Sequence, residues 1–578
     1  MTRVQEGRER QREEGQRQER QAGRLSYWLA AAWFALTLVV LRWIVRTPVP
    51  VLREQLKWLQ FWSLEACLVL ASVLGLIVLR RAARKLTRRD GLALLLFALA
   101  ALVLTQAVAP RTNRIYYDEH IYQGIGQNMA DLRLAQVCNE GSVEYGRLQC
   151  FSAEYNKQPY AWPHLLSVAY RVAGVHESVA FAINAAVMAL SVCALYLLVL
   201  ALFEDRTAAF FAALLLLLTP EQILWSATAA AEPSAALACT LAVLAAAWFC
   251  RSGDGVSLAA TAALSAYAVQ FRPESLLILP VVALVLWQRR GEWDRPRSWW
   301  ALWLACALLA VHAAHLYAVR NEAWGTTAER LSLTYLWANL PINLRFYLAD
   351  WRYPAAFTLL AIVGAATRER AIARLAVAAW FLAFFGIYLL FYAGSYNYGA
   401  DVRYSLMTYA PLAVLGGLGS ARLATWARGW SPHGVRPTPV LAAGIAFVFL
   451  WYAPLVRATT EEAWAARADV RFAQTLIPAL RGNSYVIAQN PAIFQLGGVN
   501  AGQMSRIVAD PGYLDALSQQ YSGRVYLHWN FWCNVQDPVQ RDFCRKALET
   551  RPFQLVREYR ERDQRFALYR LVPRNAAQ

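Results

Sequence analysis

The chain has 578 residues, 58% of them hydrophobic and 17% charged, with a formal charge of +18 from 57 Lys and Arg against 39 Asp and Glu. Soluble domains run near about 45–50% apolar and about 25% charged, so this composition excludes an ordinary soluble protein. It also excludes nucleic acid as a main partner, because the Arg residues gather in short loops between apolar runs and no basic–aromatic stacking motif accompanies them.

Taken in order, residues 1–26 mix Arg, Gln and Glu with few apolar side chains and are expected to form a disordered cytoplasmic tail. The segment is too long and too acidic for the n-region of a cleaved signal. Apolar runs follow near Tyr27–Val45, Gln60–Leu79, Gly91–Ala109, Ser178–Phe203, Ala208–Leu218, Pro233–Cys250 and Val256–Val269. Others lie near Leu276–Trp287, Trp299–Ala318, Ala355–Ala366, Leu375–Tyr392, Tyr404–Leu418 and Val440–Tyr452. These predict an all-α polytopic membrane domain of about thirteen transmembrane helices over 27–457. The Arg-rich connections (Arg80–Arg89, Arg289–Arg297, Arg368–Arg374, Arg422–Arg436) alternate onto the side of the tail, which makes that side cytoplasmic. The opposite, external side then receives the loop at 110–177, Thr219–Glu232, Gln270–Glu274, Val319–Tyr353, Gly394–Arg403 and the C-terminus.

The loop at 110–177 is polar and roughly seventy residues long, well beyond the usual connection. It opens with Arg114-Ile115-Tyr116-Tyr117-Asp118-Glu119-His120-Ile121-Tyr122, two adjacent carboxylates at the mouth of a membrane helix. Asp118 is read either as the cap of a short helix running to Met129 or as a functional acid. The other external segments favour function. They bring Glu154, Lys157, Tyr160 and His164, then Glu232 before Pro233, then Arg272-Pro273-Glu274, then Asp401-Val402-Arg403-Tyr404. Acids and cations drawn to one face from separate loops point to a site that handles an anion and moves a proton.

Residues 458–578 have the composition of an external soluble α/β domain. Strands are expected at Ser484–Ala488 and Arg524–His528, helices at Ala463–Ile477 and Val539–Glu549, and a hairpin at Phe553–Tyr559 with Phe566–Leu571. The domain has no Gly-rich phosphate loop and is read as a lid or acceptor platform. Of nine cysteines, Cys138 with Cys150 and Cys533 with Cys544 form two local pairs on the external side. Neither has CxxC spacing or a His cluster, so disulfides are expected rather than zinc.

The external segments resemble the GT-C glycosyltransferases of the protein O-mannosyltransferase and lipid A aminoarabinose transferase type. The resemblance rests on Asp118-Glu119-x-x-Tyr122 with Met129, on Asn156-Lys157-Gln158-Pro159-Tyr160 through Val175, and on Thr219-Pro220 through Glu232-Pro233. Gln270-Phe271-Arg272 and Arg403-Tyr404 complete it, so it spans about Arg114 to Leu418. Glu232 stands where Asp is usual, Gln158 replaces one Pro, and two extra helices precede the catalytic loop. The resemblance implies a multi-pass protein of the inner (plasma) membrane that moves a sugar from a polyprenyl-phosphate donor to an acceptor hydroxyl on the external, periplasmic face, with inversion. Asp118 would be the general base, with Glu119 and Glu232 orienting it or holding a divalent ion, which the family does not uniformly require. Lys157, Arg272 and Arg403 would bind the donor phosphate, supported by Tyr122, His120 and Tyr404. The acceptor would be a glycan, lipid or protein. The alternatives are a polyprenyl-linked glycan polymerase or ligase, and a lipid-linked sugar transporter or flippase.

Overall fold

In the computed structural model the described residues are 28–29, 31–115, 118–292, 296–322, 329–367, 369–397, 401–430, 436–460, 464–535 and 537–573. The expected tail at 1–26 lies outside them. Each apolar run is helical over most of its described residues. Among the described residues seven are long and apolar enough to cross a membrane: Val49–Ala83, Arg88–Ala107, Glu177–Phe203, Glu232–Ser252, Arg297–Ala318, Ala371–Leu390 and Pro437–Ala458. Arg206–Leu217, Gly255–Ala268 and Ala355–Ala365 are shorter apolar helices. Ile278–Leu286 and Leu406–Arg428 take two further expected positions, and residues 31–46 are helical.

Position in the bundle follows composition. Arg88–Ala107 turns Leu92, Leu95, Leu96 and Leu99 outward, and Pro437–Ala458 does the same with Phe447, Leu450 and Trp451, as lipid contact requires. The interior is packed through small residues. A Cβ on Gly364 would sit 1.8 Å from the Leu415 carbonyl oxygen, and one on Gly419 would sit 2.0 Å from that of Leu360. The Ala355–Ala365 and Leu406–Arg428 helices therefore touch backbone to backbone, the arrangement that stabilises helix pairs where no hydrophobic drive exists between them.

The connections collect at two opposite ends. At one end Arg81 pairs with Asp254, Arg206 with Asp90, and Arg251 and Arg370 both with Glu204. At the other, Thr112 N–H donates to the Ala227 carbonyl and Ala161 N–H to that of Gln270. The same end joins Arg403 to Asp118 and Arg272 to Glu232. The alternation of Arg-rich and acid-bearing loops thus has a physical counterpart in the bundle.

A mixed seven-stranded sheet covers the second end, in the order β2-β1-β4-β3-β5-β7-β6. Five strands come from the C-terminal part: β3 (Tyr485–Ala488), β4 (Asn500–Gln503), β5 (Val525–Trp529), β6 (Phe553–Glu561) and β7 (Gln564–Leu571). The expected strands and hairpin appear within a few residues, as do the Trp464–Leu480 and Pro538–Glu549 helices. Alternation along β3 sends Tyr485 and Ile487 to one core and Val486 and Ala488 to the other. The remaining strands, β1 (Val137–Glu144) and β2 (Arg147–Glu154), belong to the long polar loop. β1 pairs antiparallel with β4 through Glu140–Gly502 and Gly141–Ala501. Cys138 is bonded to Cys150 across this hairpin and Cys533 to Cys544, with Cα separations of 5.7 and 5.5 Å.

Asn500 knits the seam. Its Oδ1 accepts from Val143 N–H at 2.8 Å, and its Nδ2 donates to the Gly482 and Ser484 carbonyls at 2.9 Å. The side chain is buried, so Asn500→Ala leaves these groups without their partner and should cost about 1–3 kcal/mol. Thermal unfolding in detergent reads the loss. Cleavage at the exposed hairpin tip, Tyr145, should accelerate with it. Unchanged melting and cleavage would show that the loop does not depend on this junction.

Candidate active site

The acid-bearing stretch forms the Asp118–Asp131 helix, with Asp118 its first residue. Two close approaches fix this helix. At Gly126 a Cβ would lie 3.0 Å from Leu166 Cβ and 3.1 Å from the Pro163 carbonyl oxygen, so the helix presses onto Ala161–Ala173. At Gly124 the neighbour is Ala492 Cβ at 3.0 Å, in the short Ala492–Gln495 helix that follows β3. The far end is tied by Asp131 Oδ2, which accepts from Leu148 N–H of β2 at 2.9 Å. Membrane domain and sheet thus hold the helix from two sides.

Helical geometry separates the adjacent carboxylates by about 100°. Glu119 turns inward, is fully buried, and accepts from Arg114 N–H at 2.7 Å through Oε2. Burial, only partly offset by that bond, drives its pKa well above the ordinary carboxyl range. Asp118 turns toward the bundle, its side chain 45% exposed, with Arg403 Nη1 at 3.5 Å from Oδ2. Desolvation by the surrounding protein raises its pKa above 3.8, with Arg403 opposing the rise and Glu232 assisting it.

Glu232 begins the Glu232–Ser252 helix, where the helix dipole favours a carboxylate, and Pro233 follows at the position proline tolerates best. It is 1% exposed, and its Oε1 accepts from Arg272 Nη1 at 2.5 Å and faces Arg403 Nε at 3.3 Å. Arg272 also pairs through Nε with Glu274, whose carboxylate accepts from the Tyr388 hydroxyl at 2.5 Å. Tyr388 stacks on Tyr404 with ring centroids 4.5 Å apart. Arg272 and Arg403 lie over the Tyr404 ring at 5.5 and 5.2 Å, so the two cations share one aromatic ring.

The structure therefore brings together Asp118, Glu232, Arg272, Arg403 and Tyr404, with Tyr122 buried within their electrostatic reach. It sends His120 to the far side of its helix, 3.2 Å from Asn113 Nδ2 and 3.4 Å from Glu177. Lys157 occupies the turn between β2 and Ala161–Ala173, half-buried. Glu274, which the sequence placed among the external acids without a specific role, joins the site, as does Tyr388, which it did not single out. Tyr388 reads in sequence as one more interfacial aromatic. Among the described residues no group of three or more His, Cys, Asp or Glu is placed to hold a metal ion.

The fold is a polytopic helical bundle with a long acid-bearing loop, capped at that end by a mixed sheet. Residues 157–317 match the family described as dolichyl-phosphate-mannose-protein mannosyltransferase. The match takes in Lys157, Glu232 and Arg272. ArnT from Cupriavidus metallidurans in the apo state is 14% identical and superposes with a TM-score of 0.56, over 82% of this chain and 97% of that one. The same protein bound to undecaprenyl phosphate gives a TM-score of 0.55 at 14% identity, with the same coverages of 82% and 97%. At this identity the likeness establishes the fold. No curated protein sequence matches the chain.

The charges around Asp118 set opposite expectations for two neutral substitutions. Removing the opposing cation in Arg403→Gln should move the Asp118 titration to higher pH, whereas Glu232→Gln should move it lower. Infrared difference spectra of the carboxyl band, assigned by its loss in Asp118→Asn, read both shifts. Shifts of the same sign would show that Asp118 is not coupled to this pair.

Proposed function

We propose that the chain transfers a sugar from a polyprenyl-phosphate donor to an acceptor hydroxyl, with inversion at the anomeric carbon and with Asp118 as general base. The observation that carries this reading is the bridging of Asp118 and Glu232 by the single guanidinium of Arg403. A base and a fixed cation are thereby held side by side at the end of a membrane bundle. A lipid-anchored phosphate lying in the bilayer reaches that level with its sugar outside.

Asp118 takes the proton of the acceptor hydroxyl as the oxygen attacks the anomeric carbon from the face opposite the phosphate. The bond from that carbon to the phosphate oxygen breaks, and its electron pair leaves with the polyprenyl phosphate, which gains a negative charge. Arg272 and Arg403, stacked on Tyr404, stabilise this charge without reorganising, and Lys157 adds to donor binding. Glu232 holds both guanidiniums in place. Glu119 and His120 hold the start of the catalytic helix rather than meet substrate. The site faces the external side, a reading supported by the two disulfides at that end and the Arg-rich connections at the other. The acceptor is a glycan, a lipid or a protein.

Purified protein in lipid vesicles, offered a panel of polyprenyl-phospho-sugars, should release polyprenyl phosphate from one of them. Asp118→Asn preserves a helix cap but cannot accept a proton, so turnover at saturating donor should fall about 10²–10⁴-fold with unchanged size-exclusion elution. Near-normal turnover in that variant would refute the base assignment.

A further inference from the structure

The chain between the Pro220–Trp225 helix and Glu232 is not helical, yet residues 226–231 are buried inside the bundle. Irregular backbone in such a place must have every polar group satisfied by its surroundings. Five successive carbonyls can be followed here. Ala227 accepts from Thr112 N–H at 3.2 Å, and Ala231 from Ala235 N–H at 3.0 Å in the first turn of the Glu232–Ser252 helix. Thr228 and Ala230 accept from the two N–H bonds of Asn184 Nδ2, at 2.8 and 2.9 Å. Between them, Ala229 accepts from Trp162 Nε1 at 2.9 Å. Asn184 is fully buried near the start of an apolar helix, Glu177–Phe203, where an amide needs hydrogen-bond partners. Its Oδ1 in turn accepts from Ser234 Oγ at 3.3 Å, two residues beyond Glu232.

We propose that Asn184, seconded by Trp162, is the positioning residue of this site: its amide clamps the backbone on both sides of Ala229 and so fixes where Glu232 enters its helix. The geometry admits few substitutes. Leu fills the space but leaves two carbonyls bare, and Asp turns acceptors against acceptors. Any shift in Glu232 passes directly to Arg272 and Arg403, since the carboxylate contacts both.

This inference rests on the proposed transfer reaction, and its test separates the two. Wild type and Glu232→Gln establish the reading: an inactive wild type, or a fully active Glu232→Gln, would overturn the reaction or the role of Glu232. With those in hand, Asn184→Leu should lower kcat/KM about 10- to 100-fold, the cost of misplacing a group by about an ångström. Part of that loss should appear as a raised donor KM. In the Glu232→Gln background the same substitution should cost less than about threefold, because it acts through a carboxylate already removed. Trp162→Phe, which loses only the indole N–H, should show the same non-additivity with a smaller effect and tests the proposal should Asn184→Leu fail to fold. Full additivity in either cycle, or a folded Asn184→Leu protein with wild-type kcat/KM, would overturn it.

Discussion

A guanidinium between two carboxylates is the constraint on which this molecule depends. Moving an ion into protein costs several kcal/mol, and the pairing returns that cost only where geometry and remaining hydrogen bonds are good. Here Arg272, Glu232 and Glu274 are all nearly or fully buried in side-chain terms, at 8%, 1% and 9% exposure. They pair with one another, and Arg403, Tyr388 and Tyr404 close around them. The four segments that supply these groups lie far apart in the chain, so the site exists only when the bundle is complete. Asp118 is the least enclosed member. It faces a charge lattice that is already assembled without it.

The sheet explains how a loop of this length holds an acid in place. Roughly seventy residues free in solvent would position nothing. Pairing β1 with β4 makes the loop an edge of the C-terminal sheet, and the Ala492–Gln495 helix bears on Gly124 from the same domain. The C-terminal part is therefore structural support for the Asp118–Asp131 helix as well as a cover over it. Its core strands are parallel and its edges antiparallel, so the hairpin extends the sheet without needing a crossover.

How much of this was legible in the sequence depends on whether the signal was local. Apolar runs gave the helices, and short alternating stretches gave β3, β5, β6 and β7, because burial writes its period into neighbouring residues. The β1–β2 hairpin was missed. Val137-Cys138-Asn139-Glu140-Gly141-Ser142-Val143-Glu144 has little apolar alternation, and its partner β4 lies more than 350 residues away. The Leu333–Ala349 helix was taken for loop because Pro341 and three asparagine or arginine residues interrupt its apolar character. At the site, residue type could name Asp118 and Glu119 but not tell them apart. The fold sets them apart: Asp118 meets Arg403, 285 residues on, while Glu119 is bound to the backbone of Arg114.

Those interrupting asparagines show how a membrane bundle accommodates a polar site at all. Asn339 Nδ2 lies within 3.3 Å of the carbonyls of Tyr388, Leu389 and Phe391, where the Ala371–Leu390 helix ends. Asn343 donates to the Gly394 carbonyl and accepts from Tyr396 N–H, both at 2.9 Å, in the segment that leads to Arg403. Asn184 does the equivalent before Glu232. The charged side chains of this site sit at broken helix ends, and each break exposes carbonyls that lipid cannot hydrate. A carboxamide on a neighbouring helix is the economical remedy, since one NH₂ group reaches two carbonyls and carries no charge to desolvate. Buried asparagines in these helices are thus the far end of the same constraint that gathers acids and arginines at one end of the bundle.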